Sequence, residues 1–388
     1  MGYGTTIKVP FGPQHPALKE PTNFEFDVDG DIVVGVKPRI GYNHRGVEKA
    51  FELRTYLQNV FLAERICGIC SAAHSTAYVQ AIEELLGVEA PPRAKYIRVI
   101  IFELERIESH LLWVGVAAHE IGFDTLFMYV WRDREAVMSL MEQISGNRVH
   151  YGMNTIGGVR RDITPELTTK IKQALDYFEE RIKYYLSMIK TEQTILKRTV
   201  GVGVLTSADA VKLCAVGPTL RASGIKNDVR ADDPYIAYGE IPFNVITHLE
   251  GDVFSRLRVR VEELVETIGI IRYALDHLPT GATRIKVPLA VPKGEAVSRV
   301  EAPRGELIHY AKSNGTTKLE RYKVRAPTLA NLPSVCQTLM GSHLADVPII
   351  LAGIDPCFSC MDRMAFVDVN TDKHWVWTLQ ELKRHLSK

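Results

Sequence analysis

The chain predicts an α+β fold, a core bundle of long helices with β lobes built from its N- and C-terminal parts. Three observations carry this expectation. Residues 22–36 and 286–325 are rich in β-branched and aromatic residues and are punctuated by turn signals. Residues 46–278 show the alternating three-and-four spacing of buried helix faces. A length of 388 residues leaves room for a large core. Hydrophobic residues make up 46% and charged residues 24% of the chain, which excludes a disordered segment, a collagen and a coiled-coil rod. The formal net charge of +1 argues against a dedicated nucleic-acid binder, which carries a basic excess. The best apolar run, Val347 to Ile354, falls far short of the ~18 residues a membrane helix needs. The chain is therefore expected not to span a bilayer, although it can dock onto a partner that does.

In chain order, residues 1–45 read as an N-terminal β lobe and loop. Thr22 to Val28 and Ile32 to Val36 are joined by Asp29-Gly30-Asp31, a hairpin signal, and the proline-rich stretch from Pro10 to Pro21 reads as a loop. Residues 46–280 read as the helical core. Pro91-Pro92 opens a helix running to about Ala118, and Thr164-Pro165 is a capped start for a helix to about Ile189. Asp252 starts another, whose Phe254, Leu257, Val261, Leu264, Ile268, Ile271 and Leu275 form one buried stripe. Residues 281–363 return to β structure up to Arg325, followed by a helix from about Leu329 to Gly341. Residues 364–388 form a tail read as a strand (Met364 to Val369), a turn (Asn370 to Lys373) and a helix (Leu379 to Leu386).

The cysteines carry the sharpest chemical signal. Cys67 and Cys70 form one CxxC, Cys357 and Cys360 form another, and Cys214 and Cys336 stand alone. Without an export signal, thiols are expected to stay reduced, so paired CxxC motifs read as metal or redox sites. Two such pairs together can hold one soft metal ion. A local zinc ribbon keeps its pairs about 15–20 residues apart, whereas these lie at opposite ends of the chain. Spacing alone leaves a four-thiolate centre, zinc included, beside two unrelated buried pairs.

The neighbouring residues narrow this choice. Arg65-Ile66-Cys67-Gly68-Ile69-Cys70, with His74 beyond it, and Asp355-Pro356-Cys357-Phe358-Ser359-Cys360, with Arg363 beyond it, resemble the two signature motifs of nickel–iron hydrogenase large subunits. GPQHPALKEP, GYNHRGVEKA, PPRAKYIRVI, ELERIESHLL, SGNRVHYGMN and VEAPRGELIHY extend the resemblance over nearly the whole chain. They are similar to segments of the membrane-associated, energy-converting branch and of its relative, the quinone-site subunit of respiratory complex I. The complex I relatives lack the cysteines and nickel, and here all four cysteines are present.

The resemblance implies a nickel–iron centre whose iron carries one CO and two cyanides. Cys67 and Cys357 would be terminal nickel ligands, while Cys70 and Cys360 would bridge to the iron. The implied chemistry is reversible heterolytic splitting of H2. Glu20 matches the proton-transfer glutamate of this branch, and Arg304 the arginine over the open face of the metals. Asp355 would orient that arginine, and Glu120 stands where relatives carry an aspartate near it. His74 would donate a hydrogen bond to a cysteine sulfur, and Thr328 would bond an iron cyanide. Glu48 matches a glutamate that binds a structural magnesium in many hydrogenases. His44 and Tyr96 sit where complex I relatives contact the quinone headgroup, and here they read as structural or proton-path residues.

The same resemblance sets the partners. No cysteines remain for an iron–sulfur cluster in this chain, so electrons must arrive from a small subunit bearing a [4Fe–4S] cluster, supplied in turn by ferredoxin. Ion pumping must come from membrane subunits, placing the chain peripherally on the cytoplasmic side of the membrane. Many hydrogenases are cut after the last motif residue, Arg363 here, so the further 25 residues of this chain read either as the tail of a member that is not processed or as that of an immature form, the first being favoured by a tail that folds. Three other readings compete. One is a complex I-like quinone or sulfane-sulfur reductase subunit without nickel, which the cysteines and Arg304 oppose. Another is a module stapled by structural zinc, which leaves Glu20, Arg304 and Asp355 unexplained. The last is a sensory hydrogenase.

Overall fold

Three long helices set the frame: Pro92–Glu120, Pro165–Thr191 and Val253–Asp276. Their starts follow from local chemistry. Pro92 occupies the first turn, where its missing N–H costs nothing. The Thr164 hydroxyl accepts the backbone N–H of Leu167 (3.3 Å), and the Asp252 carboxylate accepts that of Ser255 (2.7 Å). In this computed structural model the described residues are 6–364, 366–367, 374–375, 377 and 379–387.

Pro92–Glu120 is the central helix. It packs on Asp124–Ser145 and on Val253–Asp276, and the latter packs on Pro165–Thr191. It is buried on nearly every face, and its charged residues are therefore buried too. They are paired rather than abandoned. Arg98 forms a two-pronged contact with Glu83 (2.6 and 2.9 Å), and Glu103 receives Arg106, Arg230, Thr267 and Tyr238. The predicted stripe of Val253–Asp276 is realised, with Leu257, Val261, Leu264, Ile268, Ile271 and Leu275 all buried and Phe254 partly so.

The N-terminal strands Ile7–Phe11, Asn23–Asp29 and Ile32–Arg39 form an antiparallel sheet in chain order. Gly30 takes φ +63° in the predicted hairpin turn. The C-terminal sheet is Gly294–Ala302, Gly305–Ser313 and Leu319–Arg325, also antiparallel in chain order. Its first strand starts at Gly294, later than the expected 286. Ala302 pairs with Gly305, so Pro303 and Arg304 form a two-residue turn at the sheet's tip. Gly305 lies at φ +123° against Gly217, and a Cβ on Gly217 would sit 2.3 Å from the Gly305 Cα. This close backbone contact seats the turn that carries Arg304.

Two expectations change. The stretch from 200 to 252 is not long-helical: it holds the short helices Ser207–Lys212, Gly217–Arg221 and Val229–Asp232 between loops, because glycines and prolines interrupt it. The helix expected from Leu329 to Gly341 runs instead over Pro327–Leu339, with Pro327 at its first turn. In the tail, Phe366–Val367 pairs with His374–Trp375, and Leu379–Leu386 is helical. The expected turn at 370–373 lies outside the described residues. Among the described residues no helix is long and apolar enough to cross a membrane.

Candidate metal centre

Each cysteine pair sits where regular structure begins or ends. The first follows the Asn59–Glu64 helix, and Cys70 is the residue before the Ser71–Leu86 helix. That helix start is satisfied by a remote carboxylate: Glu105 accepts the N–H groups of Ala72 (2.6 Å) and Ala73 (2.9 Å). The second pair follows the Val347–Gly353 helix, after Asp355 in the left-handed region (φ +54°). A non-glycine residue there is strained, and its neighbours over-determine it. Thr328 Oγ1 accepts the Cys357 N–H (2.9 Å), and Glu20 Oε2 accepts the Ser359 N–H (2.7 Å). Arg45 joins the two loops, donating to the carbonyls of Arg65 (3.0 Å), Ile66 (2.6 Å) and Ser359 (3.0 Å).

These supports bring the four sulfurs together. Cys67 and Cys357 Sγ are 3.2 Å apart, Cys357 and Cys360 3.0 Å, and Cys70 and Cys360 3.7 Å. All four are free thiols and buried. Hydrogen bonding from the Cys357 and Cys360 thiols holds Cys67 well below the usual thiol value, whereas burial pushes Cys360 well above it. Four acidic sulfurs this close cannot all ionise against one another without a cation. A soft divalent ion is the counter-charge that four thiolates at this spacing accept.

One side of the cluster is walled by a buried ion pair. The Arg304 guanidinium donates to the Asp355 carbonyl (2.8 Å), to Asp355 Oδ1 (3.0 Å) and to Ser109 Oγ (3.1 Å). Lys19 reaches the same Oδ1 (3.1 Å), while Oδ2 has no partner among the described residues. Burial works against the charged form of Asp355, but Arg304, Lys19 and Arg260 outweigh it and hold its pKa below the usual range. Arg304→Met is therefore expected to cost about 3–5 kcal/mol, since it leaves a buried carboxylate short of its main counter-charge. A denaturant midpoint unchanged from wild type would contradict this. Glu20 Oε1 lies 3.9 Å from Cys357 Sγ, and burial beside that sulfur raises its pKa. His74 Nε2 lies 3.5 Å from Cys360 Sγ.

Not every expected residue arrives. Glu120 ends the central helix without a bond to Arg304 among the described residues; the cations acting on it are His119 and Lys19, and Lys19 in turn bonds the Asp355 that holds Arg304. Glu48 is buried, but its carboxylate is filled by Lys323 (2.8 Å), Arg363 (2.8 Å) and the Val324 N–H (3.0 Å). Two cations occupy the place a magnesium ion would take, so this carboxylate does not fit that role. His44 Nδ1 faces Asp362 (2.8 Å), and Tyr96 donates to Glu240 (2.9 Å), which anchors both locally.

Sequence reading assigned no role to Arg45, Lys19, Ser109 and His309, although each lies in a segment that carries the resemblance, nor to Tyr322, which lies outside them. It also missed Glu64, the last residue of the helix before the first pair, whose two oxygens share the Gly152 N–H (2.8 and 3.0 Å). Burial pushes its pKa up to about 7, against the pull of that N–H. From an ordinary 4.5 up to 7 the folded chain then holds a proton that the unfolded chain releases, so stability falls as pH rises through this window. Glu64→Gln keeps an acceptor for Gly152 and is expected to gain on wild type by up to about 3 kcal/mol as pH climbs past 7. Parallel stability curves for the two chains from pH 5 to 8 would contradict it.

Residues 45–150 match the family model described as nickel-dependent hydrogenase, and residues 120–363 the one described as respiratory-chain NADH dehydrogenase, 49 Kd subunit. The membrane-bound hydrogenase subunit alpha of Pyrococcus furiosus is 43% identical, over 93% of this chain and 88% of its own. The carbon monoxide-induced hydrogenase of Rhodospirillum rubrum is 41% identical over 92% of this chain and its own full length. Formate hydrogenlyase subunit 5 of Escherichia coli is 40% identical, and this chain spans 66% of its length. A subunit of the solved archaeal membrane-bound sulfane sulfur reductase superposes with a TM-score of 0.88 at 34% identity, covering 92% of this chain and 98% of that one. Fold and relatives thus define a hydrogenase-like oxidoreductase large subunit of the kind found in multi-subunit membrane complexes, with a cysteine cluster that could hold a metal. The chain belongs to the nickel–iron hydrogenase large-subunit family, on the membrane-associated, energy-converting branch that is related to respiratory complex I.

Proposed function

We propose that this chain is the catalytic subunit of an energy-converting nickel–iron hydrogenase, forming H2 from protons with electrons from reduced ferredoxin. The observation that carries the reading is the meeting of four buried thiols from both ends of the chain under the Arg304–Asp355 pair. Cys67, Cys70, Cys357 and Cys360 would hold a nickel–iron centre with iron-bound CO and cyanides, and that centre would supply the reversible splitting of H2. The rest is the work of this chain's own side chains. Glu20, anchored by the Ser359 N–H, exchanges a proton at Cys357 Sγ. Arg304 presents a fixed positive charge that Asp355 and Ser109 orient. Thr328 and Arg45 keep the second cysteine loop from shifting.

Electrons would enter through a small subunit with a [4Fe–4S] cluster, and membrane partners on the cytoplasmic side would couple turnover to ion translocation. The names of the membrane-bound relatives support the association with membrane partners. The sulfane sulfur reductase neighbour supports a second reading, reduction of sulfane sulfur on the same scaffold. The two separate in one assay. The purified complex is given reduced ferredoxin with protons alone or with polysulfide, and its nickel is measured. H2 evolution with stoichiometric nickel is expected. Polysulfide reduction by a nickel-free complex that makes no H2 would overturn the hydrogenase reading.

A further inference from the structure

A row of hydrogen bonds leads from the sulfur cluster into the C-terminal sheet. His74 Nε2 faces Cys360 Sγ (3.5 Å), and His74 Nδ1 faces His309 Nε2 (3.0 Å). His309 Nδ1 is bonded to the Tyr322 hydroxyl. All three side chains are fully buried. His309 and Tyr322 sit on paired strands: His309 is opposite Val324 and Ala311 opposite Tyr322, so the two point to the same face in adjacent diagonal positions. Tyr322 is fixed by stacking on Phe51, with ring centroids 4.1 Å apart.

The row has a direction, and Tyr322 sets it. A neutral imidazole carries one N–H, so bonding at one nitrogen decides what the other can do. Burial keeps His309 neutral, since it pushes its pKa well below the usual value and its nitrogens face only a phenol and another imidazole. Burial also keeps the Tyr322 phenol protonated. The Tyr322 O–H has no bonding partner other than His309 Nδ1 among the described residues, and a buried hydroxyl proton left unpaired costs about 1–3 kcal/mol. Tyr322 therefore donates. His309 must then carry its proton on Nε2 and donate to His74 Nδ1, and His74 must carry its own on Nε2, aimed at Cys360. The reverse order would strand the buried phenol proton.

We infer that Tyr322 and His309 are positioning residues that lock His74 in the tautomer donating to Cys360, and thereby tune the electron richness of that metal ligand. The tuning half rests on the nickel–iron reading, whereas the tautomer half is a property of the chain itself. A hydrogen bond to Cys360 would, in a nickel–iron centre held there, withdraw electron density from the iron and so strengthen the C–O bond of an iron-held CO.

The test uses the full chain labelled with 15N-histidine, with His309 identified by the signal that His309→Gln removes. Two-bond 1H–15N spectra are expected to show His309 and His74 as Nε2–H tautomers. Tyr322→Phe, which keeps the ring and its stacking, is expected to turn His309 into a mixture of tautomers. His309 found as the Nδ1–H tautomer or as the imidazolium, or unchanged in Tyr322→Phe, would overturn the inference. In the complete enzyme, Tyr322→Phe is expected to move the CO band to lower wavenumber, and an unmoved band would overturn the tuning role. Absence of any CO band from the wild-type enzyme would defeat the nickel–iron reading instead, and the tautomer result would stand apart from it.

Discussion

Cys360→Ser is expected to yield a folded chain without nickel and without H2 turnover. Serine is nearly isosteric, so the pocket keeps its shape. Its hydroxyl, however, ionises far less readily than a thiol and offers a hard oxygen where a soft sulfur is needed. Cys360 lies 3.0 Å from Cys357, 3.7 Å from Cys70 and 3.5 Å from His74 Nε2. Losing it removes a ligand and the acceptor of the His74 bond together. The loss should therefore exceed the roughly 10–100-fold that removing an outer partner such as His74 costs. Nickel content and H2 evolution of the purified variant complex are the readouts. Full turnover would exclude Cys360 as a ligand to the metal.

Glu20→Gln is expected to slow turnover by about 10²–10⁴-fold, the range assigned to a positioned proton-transfer group. The substitution separates two jobs. Glutamine retains a carbonyl oxygen that can accept the Ser359 N–H, now bonded at 2.7 Å, so the cysteine loop should stay in place. It cannot exchange a proton with Cys357 Sγ. Nickel content should match wild type while the H2 rate falls. If nickel is lost along with activity, Glu20 is a scaffold residue. If the rate is untouched, protons leave by another side chain.

Much of this was legible in the sequence because its causes are local. Thr164 and Asp252 announce helix starts by chemistry contained within four residues, and Asp29-Gly30-Asp31 announces a turn the same way. The four cysteines were legible as a set through the motif residues beside them, because spacing alone left two unrelated pairs open. The second tier was not. His309 and Tyr322 become neighbours of the metal pocket only through strand register and helix packing, and each alone reads as an ordinary buried aromatic side chain. Arg45 looks like a surface arginine until the two cysteine loops close around it. Glu48 carried a magnesium expectation that its neighbours in sequence could not refuse; Lys323 and Arg363, which fill its carboxylate, lie far along the chain.

The central claim is that these four thiols hold a nickel–iron centre, and infrared spectroscopy of the anaerobically purified complex tests it most directly. Metal-bound CO and cyanide absorb where protein is nearly transparent, so the readout depends on neither an electron donor nor a substrate. The account predicts one CO band accompanied by two cyanide bands, all lost in Cys360→Ser. A spectrum without them, from a wild-type complex that also lacks nickel, would contradict it.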